Sequence, residues 1–390
     1  MIHGALLPLG LGLIGSAVLA TPQEDLTDAP ARPAVPRTLA REDAIASIDR
    51  ALGYLIDRQK DDGSWGNNAP NPMELGFALN TFKAWRIASH GLVCMALAGS
   101  EETPERRAAL DAAIDWFAKV RFPARDSDWD IDYVWTALYG FVASVELLSD
   151  PRFEGDERLL RRGREFLGVL ERHQAVSGGW AYYDDPPFGV VPTWATSFCT
   201  ALVLPSLAAA SDVGLSVRPK TIRRAQRYLE LCVMPGGAYS YDLTPVARIA
   251  GVEHINRIEG SLGRTQVGNW ARRRLGDRRV TDEVLREGLD AFFREHSYLD
   301  NVRLKPIPHE GFHANAGYFY FFAHYYAALA ISLLPPEERE AYQARLRPHL
   351  VKTQRGNGSS NDFLSSDYLV NASTAFLVLS LAEGLNEPDR

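Results

Sequence analysis

The segment Gln59-Lys60-Asp61-Asp62-Gly63-Ser64-Trp65-Gly66 constrains this chain more than any other, because it recurs. Asp-Gly ends the preceding helix in a tight turn: Gly accepts φ > 0, and the Asp side chain bonds its own backbone. The Trp two places later then needs a large surface to pack against. A second copy, Gln174-x-x-x-Gly178-Gly179-Trp180, keeps the six-residue spacing from Gln to Trp and lies 115 residues on. Weaker copies follow at Cys232 to Ala238, with Gly236-Gly237, and at Gln354 to Ser360, with Gly356 and Gly358. The remaining copies fall near Lys119 and His296, at helix ends without Gln or Trp. Six units of about 57 residues are implied.

A second count agrees. The apolar stretches opening at His90, Thr136, Ser197, Thr265, Tyr318 and Thr374 also step by about 57 residues. Each unit reads as helix, turn, irregular link and helix, with almost no strict strand-like alternation. The first helix of a unit carries charge, as in Glu157 to Glu171 and Thr221 to Glu230, and should face solvent. The second, as in Thr200 to Ala210 and Ala375 to Leu381, is apolar nearly all round and belongs inside. The opening helix is expected over Ala44 to Arg58, with Ile45, Ile48, Ala51, Leu52 and Leu55 at helical spacing. The fold class is therefore all-α: about six helix pairs in an inner and an outer ring over residues 39–390. An open solenoid satisfies the same pattern, but six units without polar caps are few for one.

Residues 1–20 read as a secretory signal peptide, an apolar run from Ala5 ending in Val18-Leu19-Ala20. No Lys or Arg precedes the run, which leaves an uncleaved anchor open, although about 16 residues fall short of the ~20 that span a membrane. Residues 21–38, rich in proline, read as a flexible tether. A secreted or periplasmic protein is expected, with peripheral membrane contact left open. The net charge of -7 disfavours nucleic acid as a partner. Cys94, Cys199 and Cys232 sit in apolar helical settings without CxxC spacing, so neither a zinc ribbon nor a disulfide framework is expected.

Gln-x5-Trp on an Asp-Gly or Gly-Gly turn, followed by a small-residue helix such as Ala372-Ser373-Thr374-Ala375-Phe376, resembles the prenyltransferase and squalene cyclase repeat. The likeness covers roughly residues 40–386. It implies an α/α toroid whose inner helix N-termini border a central cavity, with Gln59, Trp65, Gln174 and Trp180 structural. It also implies two chemistries. Squalene-hopene type cyclases protonate a polyene from an acidic Asp-x-Asp-Asp, a carboxyl kept protonated by its neighbours being the donor. The nearest counterpart here is Asp128-Trp129-Asp130-Ile131-Asp132-Tyr133, with Tyr133 where the last Asp would stand. A plain Asp-rich helix start, favoured by the helix dipole, is the alternative. The family's zinc-binding branch uses Asp, Cys and His, whereas Ser366-Asp367-Tyr368 is followed by neither Cys nor His. No metal or other cofactor is expected.

If the chain is catalytic, Asp130 or Asp132 is the expected proton donor, helped by Asp184 and His309. The candidates for substrate binding, near inner helix starts, are His90, Tyr133, Trp135, Trp194, Arg264, His313, Tyr318, Tyr320 and Asp367. The aromatic set, with Trp85, Tyr182 and Tyr183, suits cations and sugar rings equally. His309-Glu310-Gly311-Phe312-His313 matches the His-Glu-x-x-His pattern of metalloproteases, but Pro306, Pro308 and Gly311 make a loop of a segment that would have to be helical. His324 is either cavity lining or core. The expected function is a cavity for an apolar or isoprenoid-like small molecule, with catalysis open. A non-catalytic interaction module and a carbohydrate-active toroid taking a glycan are the alternatives.

Overall fold

Amphipathic and almost wholly buried helices alternate along the chain, as the repeat requires. The computed structural model describes residues 39–66, 79–125, 130, 132–183, 192–243, 254–305, 309–310, 313, 315–316, 319–362 and 367–385. The expected signal peptide and tether lie outside them. The first two units run α1 (Arg41–Asp57), α2 (Leu79–Ala98), α3 (Pro104–Lys119) and α4 (Trp135–Ser149). The next two run α5 (Glu157–Arg172), α6 (Ser197–Ala209), α7 (Pro219–Leu231) and α8 (Leu262–Arg274). The last two run α9 (Asp282–Arg294) with the short α10 (Ser297–Val302), then α11 (Tyr320–Ile331), α12 (Pro336–Val351) and α13 (Asp367–Glu383).

Helices α2, α4, α6, α8, α11 and α13 form the inner ring. Each packs on the next, and α13 returns to α2, so the ring closes and an open solenoid is ruled out. Burial follows this placement. In α4 every residue except Glu146 and Ser149 is buried, whereas α5 buries one stripe from Leu159 to Leu170. Outer helices α3 and α5 start at side-chain caps: Thr103 Oγ1 accepts from Arg106 N at 3.2 Å, and Asp156 Oδ1 from Arg158 N at 2.8 Å.

The recurring turn is a pin between neighbouring units. Gln59 Nε2 donates to Gly63 O at 3.0 Å in its own turn and to Ala109 O at 2.8 Å in α3. Gln174 repeats this with Gly178 O and Thr221 O of α7, at 2.7 and 2.9 Å. Gln354 repeats it with Gly358 O at 3.0 Å and with Ser47 O of α1 at 2.8 Å, tying the last unit to the first. Trp65 and Trp180 each donate Nε1 at 2.7 Å to the carbonyl ten residues back, Leu55 O and Leu170 O. The turn glycines are forced: Gly63, Gly178 and Gly358 have φ of 84°, 108° and 90°. A Cβ on any of them would collide with a carbonyl of the next outer helix, Ala112 O, Arg224 O or Arg50 O.

Two expectations are corrected. Helix α1 starts at Arg41, and Ile45 is 44% exposed rather than inward. Helix α8 is inner yet polar; it buries Gln266, Asn269 and Arg272 because each has a partner, in Gly288 O, Tyr239 Oη and Asp277 respectively. The chain is not wholly without extended pairing, since His309–Glu310 pairs antiparallel with Asn315–Ala316. That pairing removes the helix a His-Glu-x-x-His zinc site needs.

The centre of the ring is filled. Tyr139 of α4 meets Phe376 of α13 edge-on at 5.7 Å, and Phe198 of α6 meets Phe319, just before α11, at 5.0 Å. Phe322 joins the two pairs, 6.3 Å from Phe198 and 6.5 Å from Phe376. Helices α4 and α13 are not ring neighbours, nor are α6 and α11, so those two pairs meet only across the axis. Tyr139, Phe198, Phe322 and Phe376 are all buried and form an aromatic plug with one mouth on each side.

Candidate functional site

The inner helix N-termini converge on one mouth. Neighbouring link segments are knitted together there: Thr196 bridges Trp180 on one side and Asp242 on the other. Tyr182 and Tyr241 share a hydroxyl contact of 2.9 Å, and Val134 N donates to Tyr182 O at 3.0 Å. The result is a bowl of half-buried rings around the buried Trp135. Trp85 lies 5.3 Å from Trp135, Trp135 stacks near-parallel on Tyr182 at 6.3 Å, and Tyr183 meets Trp194 edge-on at 5.1 Å.

Asp132 stands beside this bowl, three residues ahead of α4. Its φ of 66° is a left-handed backbone uncommon outside glycine, and asparagine and aspartate tolerate it best. Trp85 Nε1 donates to Asp132 Oδ2 at 3.0 Å. Burial outweighs that hydrogen bond and pushes the carboxyl up to about 6. An acid so tuned exchanges a proton near neutral pH, and the rings beside it offer π faces to a cation. Asp130 is buried close by in the sequence.

The other candidates part company. Trp135 and Trp194 are in the bowl. Tyr133 instead sends its hydroxyl to His173 Nδ1 at 2.9 Å, beside a 290 Å³ cavity between α4 and α5. Arg264 reaches Tyr239 O at 3.2 Å and Ile255 O, with its guanidinium 5.5 Å from the Tyr241 ring, so it clasps the rim. His313 packs edge-on against Tyr298 at 4.7 Å. Tyr320 faces outward, its hydroxyl donating to His349 O of α12 at 2.9 Å. Asp184 and Tyr318 lie outside the described residues, as do the side chains of His309 and Asp367.

His90 is placed away from the mouth, wholly buried between α2 and α3 with Nε2 2.9 Å from Ala113 O. Burial drives its imidazole down to about 3, against 6.5 in the unfolded chain. Its contribution to stability is therefore whole above pH 6.5 and lost as pH falls towards 3, about 2 kcal/mol being gone at pH 5. His90→Gln should lose that share of the pH slope in urea unfolding; an unchanged slope would refute the assignment.

Sequence reasoning missed two carboxylates. Asp242 stands ten residues after Cys232, as Asp184 stands ten after Gln174, so the repeat spacing itself carried the signal. Asp362, buried before α13, accepts from Ser373 Oγ at 3.0 Å, and burial raises it to about 7. Also unforeseen was a 910 Å³ cavity at the opposite mouth, floored by Tyr139, Tyr325 and Tyr326 and lined by Glu146, Arg274 and Glu383. Among the described residues no helix is long and apolar enough to cross a membrane.

No protein-family model and no curated protein matches this sequence. Solved structures do. The type II terpene cyclase MstE from Scytonema has a TM-score of 0.52 at 16% identity, covering 88% of this chain and 99% of that one. The GH76A α-1,6-mannanase of Salegentibacter sp. HEL1_6 has 0.51 at 12% identity, covering 88% and 99%. A family 76 glycoside hydrolase from a bovine Bacteroides thetaiotaomicron strain has 0.57 at 11%, covering 87% and 77%. At such identities the likeness speaks for the fold. The chain is an all-α, terpene-cyclase-like α/α toroid, an architecture it shares with the family 76 mannanases.

Proposed function

We propose that the N-terminal mouth is the active site of an acid-initiated cyclase acting on an apolar, isoprenoid-like chain, with Asp132 as the proton donor. The observation that carries this reading is a carboxyl raised to about 6 beside Trp85, Trp135 and Tyr182. The Asp132 O–H bond breaks as its proton adds to a terminal C=C, leaving a tertiary cation. Neighbouring π bonds of the chain close on that cation, and a proton lost from the last carbon returns the charge balance. The product is an isomer of the substrate, and solvent re-protonates Asp132. The rings of the bowl stabilise each cation in passing. Asp130 and Asp184 are candidate helpers of the acid, and His309 is a candidate to receive the final proton. MstE in the related fold is described with geranylgeranyl dihydroxybenzoate as substrate, which favours a prenylated aromatic as the first compound to try.

Export belongs to this proposal, with residues 1–20 as the removed segment. One observation favours a second reading. A family GH76 mannanase is inactive when two consecutive aspartates are replaced, and this chain carries Asp184-Asp185 ahead of α6. Incubation with geranylgeranylated phenols and, separately, with α-1,6-mannotetraose separates the two. Cyclised isomers seen by mass spectrometry support the first reading; shortened mannosides with no cyclised product overturn it. The rate should be flat below pH 6 and fall about tenfold per unit above it, since only the protonated acid works. A rate rising through pH 7 contradicts Asp132 as the donor.

A further inference from the structure

The fifth unit lacks the Gln and Trp of the pin, and three histidines occupy that place. His296 follows α9, His324 is on α11 and His349 is on α12. His296 and His324 are buried, and His349 is half-buried at the rim. Their spacing in sequence carries no metal-binding signature, so only the fold brings them together.

The hydrogen bonds determine which ring nitrogens carry protons. His324 Nδ1 lies 2.7 Å from Tyr320 O, and a carbonyl only accepts, so Nδ1 is the donor. His296 Nδ1 lies 3.1 Å from Asp300 Oδ2, a carboxylate also held by Lys352 Nζ at 3.0 Å from Oδ1, so that Nδ1 donates as well. Both Nε2 atoms are then bare in the neutral rings, yet they face each other at 2.9 Å. Two lone pairs at that distance repel unless something positive lies between them. A proton there would leave an imidazolium in a buried pocket. A metal ion satisfies both nitrogens at once, and the backbone carbonyl and carboxylate on the far nitrogens are the partners that metal-bound histidines use.

We propose that His296, His324 and His349 form a binding site for a divalent transition-metal ion, of which Zn²⁺ fits best. The ligand atoms of the three lie within 4.8 Å of one another, and among the described residues no other group of three does so. Three imidazoles suit zinc or copper, whereas magnesium and calcium require oxygen ligands. Tetrahedral coordination at about 2.0–2.1 Å needs nitrogens about 3.4 Å apart, so the His296 and His324 rings part slightly on binding. The His349 ring, stacked on His296 with centroids 3.6 Å apart, turns its edge inward, releasing the 3.4 Å contact of its Nδ1 with Lys352 Nζ. Water completes the shell from the His349 side. The ion then ties α9, α11 and α12 together, as Gln174 ties its own turn to α7.

The test uses full-length protein freed of any affinity tag, stripped with EDTA and titrated with Zn²⁺ or Co²⁺. One Zn²⁺ per chain should survive gel filtration, the melting temperature should rise with added zinc, and Co²⁺ should give the visible bands of a four-coordinate ion. Asp300→Asn, at an exposed position, and His349→Gln, at a half-buried one, should fold and should weaken binding by about 10- to 100-fold. His324→Asn should abolish it. Failure to retain zinc, or parental affinity in both Asp300→Asn and His349→Gln, overturns the site. Loss of zinc on His313→Gln with those two variants unaffected would overturn it as well, by moving the ion to the paired arm at 309–316.

Discussion

Asp132→Asn is expected to lower cyclisation by about 10²- to 10⁴-fold, the range a positioned general acid supplies. The amide keeps the shape and can still accept from Trp85 Nε1, but it has no proton of the required acidity. Stability should move the other way. The Asp132 carboxyl is raised to about 6 in the folded chain against 3.8 unfolded, so its contribution is whole below pH 3.8 and lost as pH rises through 6. At pH 7 the folded protein bears a poorly solvated charge that Asn removes, and the variant should melt at or above the parent temperature. Asp130→Asn separates the two aspartates, since the proposal expects it to retain the pH limb near 6. A variant at Asp132 that is inactive and also unfolded by circular dichroism would say nothing of catalysis, so the melting curve is measured alongside. Unchanged turnover in a folded Asp132→Asn protein would dismiss the acid.

Gly358→Ala should cost more stability than Gly178→Ala, although the two turns are chemically alike. Each substitution forces a Cβ against a carbonyl of the next outer helix, at Arg50 or Arg224, and each imposes positive φ on alanine. That backbone penalty alone is about 1–3 kcal/mol. At Gly178 the two units joined by the turn are also consecutive in the chain, and α6 still runs from one into the next. At Gly358 they are the last unit and the first, held by Gln354 on Ser47 and Arg50 and by α13 against α1. Opening that seam releases ends separated by some three hundred residues, whose closure carries a large entropic cost. Gly358→Ala is expected to lose at least 3 kcal/mol, roughly, and to replace one urea transition by two. Equal losses with single transitions in both variants would show that the seam carries no special share.

The rings themselves were legible because a 57-residue period survives the loss of individual letters, and because charge on one helix and its near absence on the next sorts outer from inner. The orientation of inner residues was not legible. A helix buried on every side gives no hydrophobic face from which to tell the axis from the outer ring, which is why His90 and Tyr320 were expected at the cavity and stand against α3 and α12 instead. Asp132 was found by its Asp-x-Asp spacing, but its left-handed φ and its bond to Trp85 depend on a fold-level meeting of α2 and the start of α4. Likewise the polar composition of α8 misleads: its polar residues are inner because Tyr239 and Asp277 pair with them.

The plug of Tyr139, Phe198, Phe322 and Phe376 makes the toroid a cup rather than a pipe. Under the proposed chemistry, substrate entering the mouth beside Asp132 and product leaving it would share one door, and a bulky product would delay its successor. The far chamber, with its own acidic and basic lining, is a separate room on the other side of those edge-on rings.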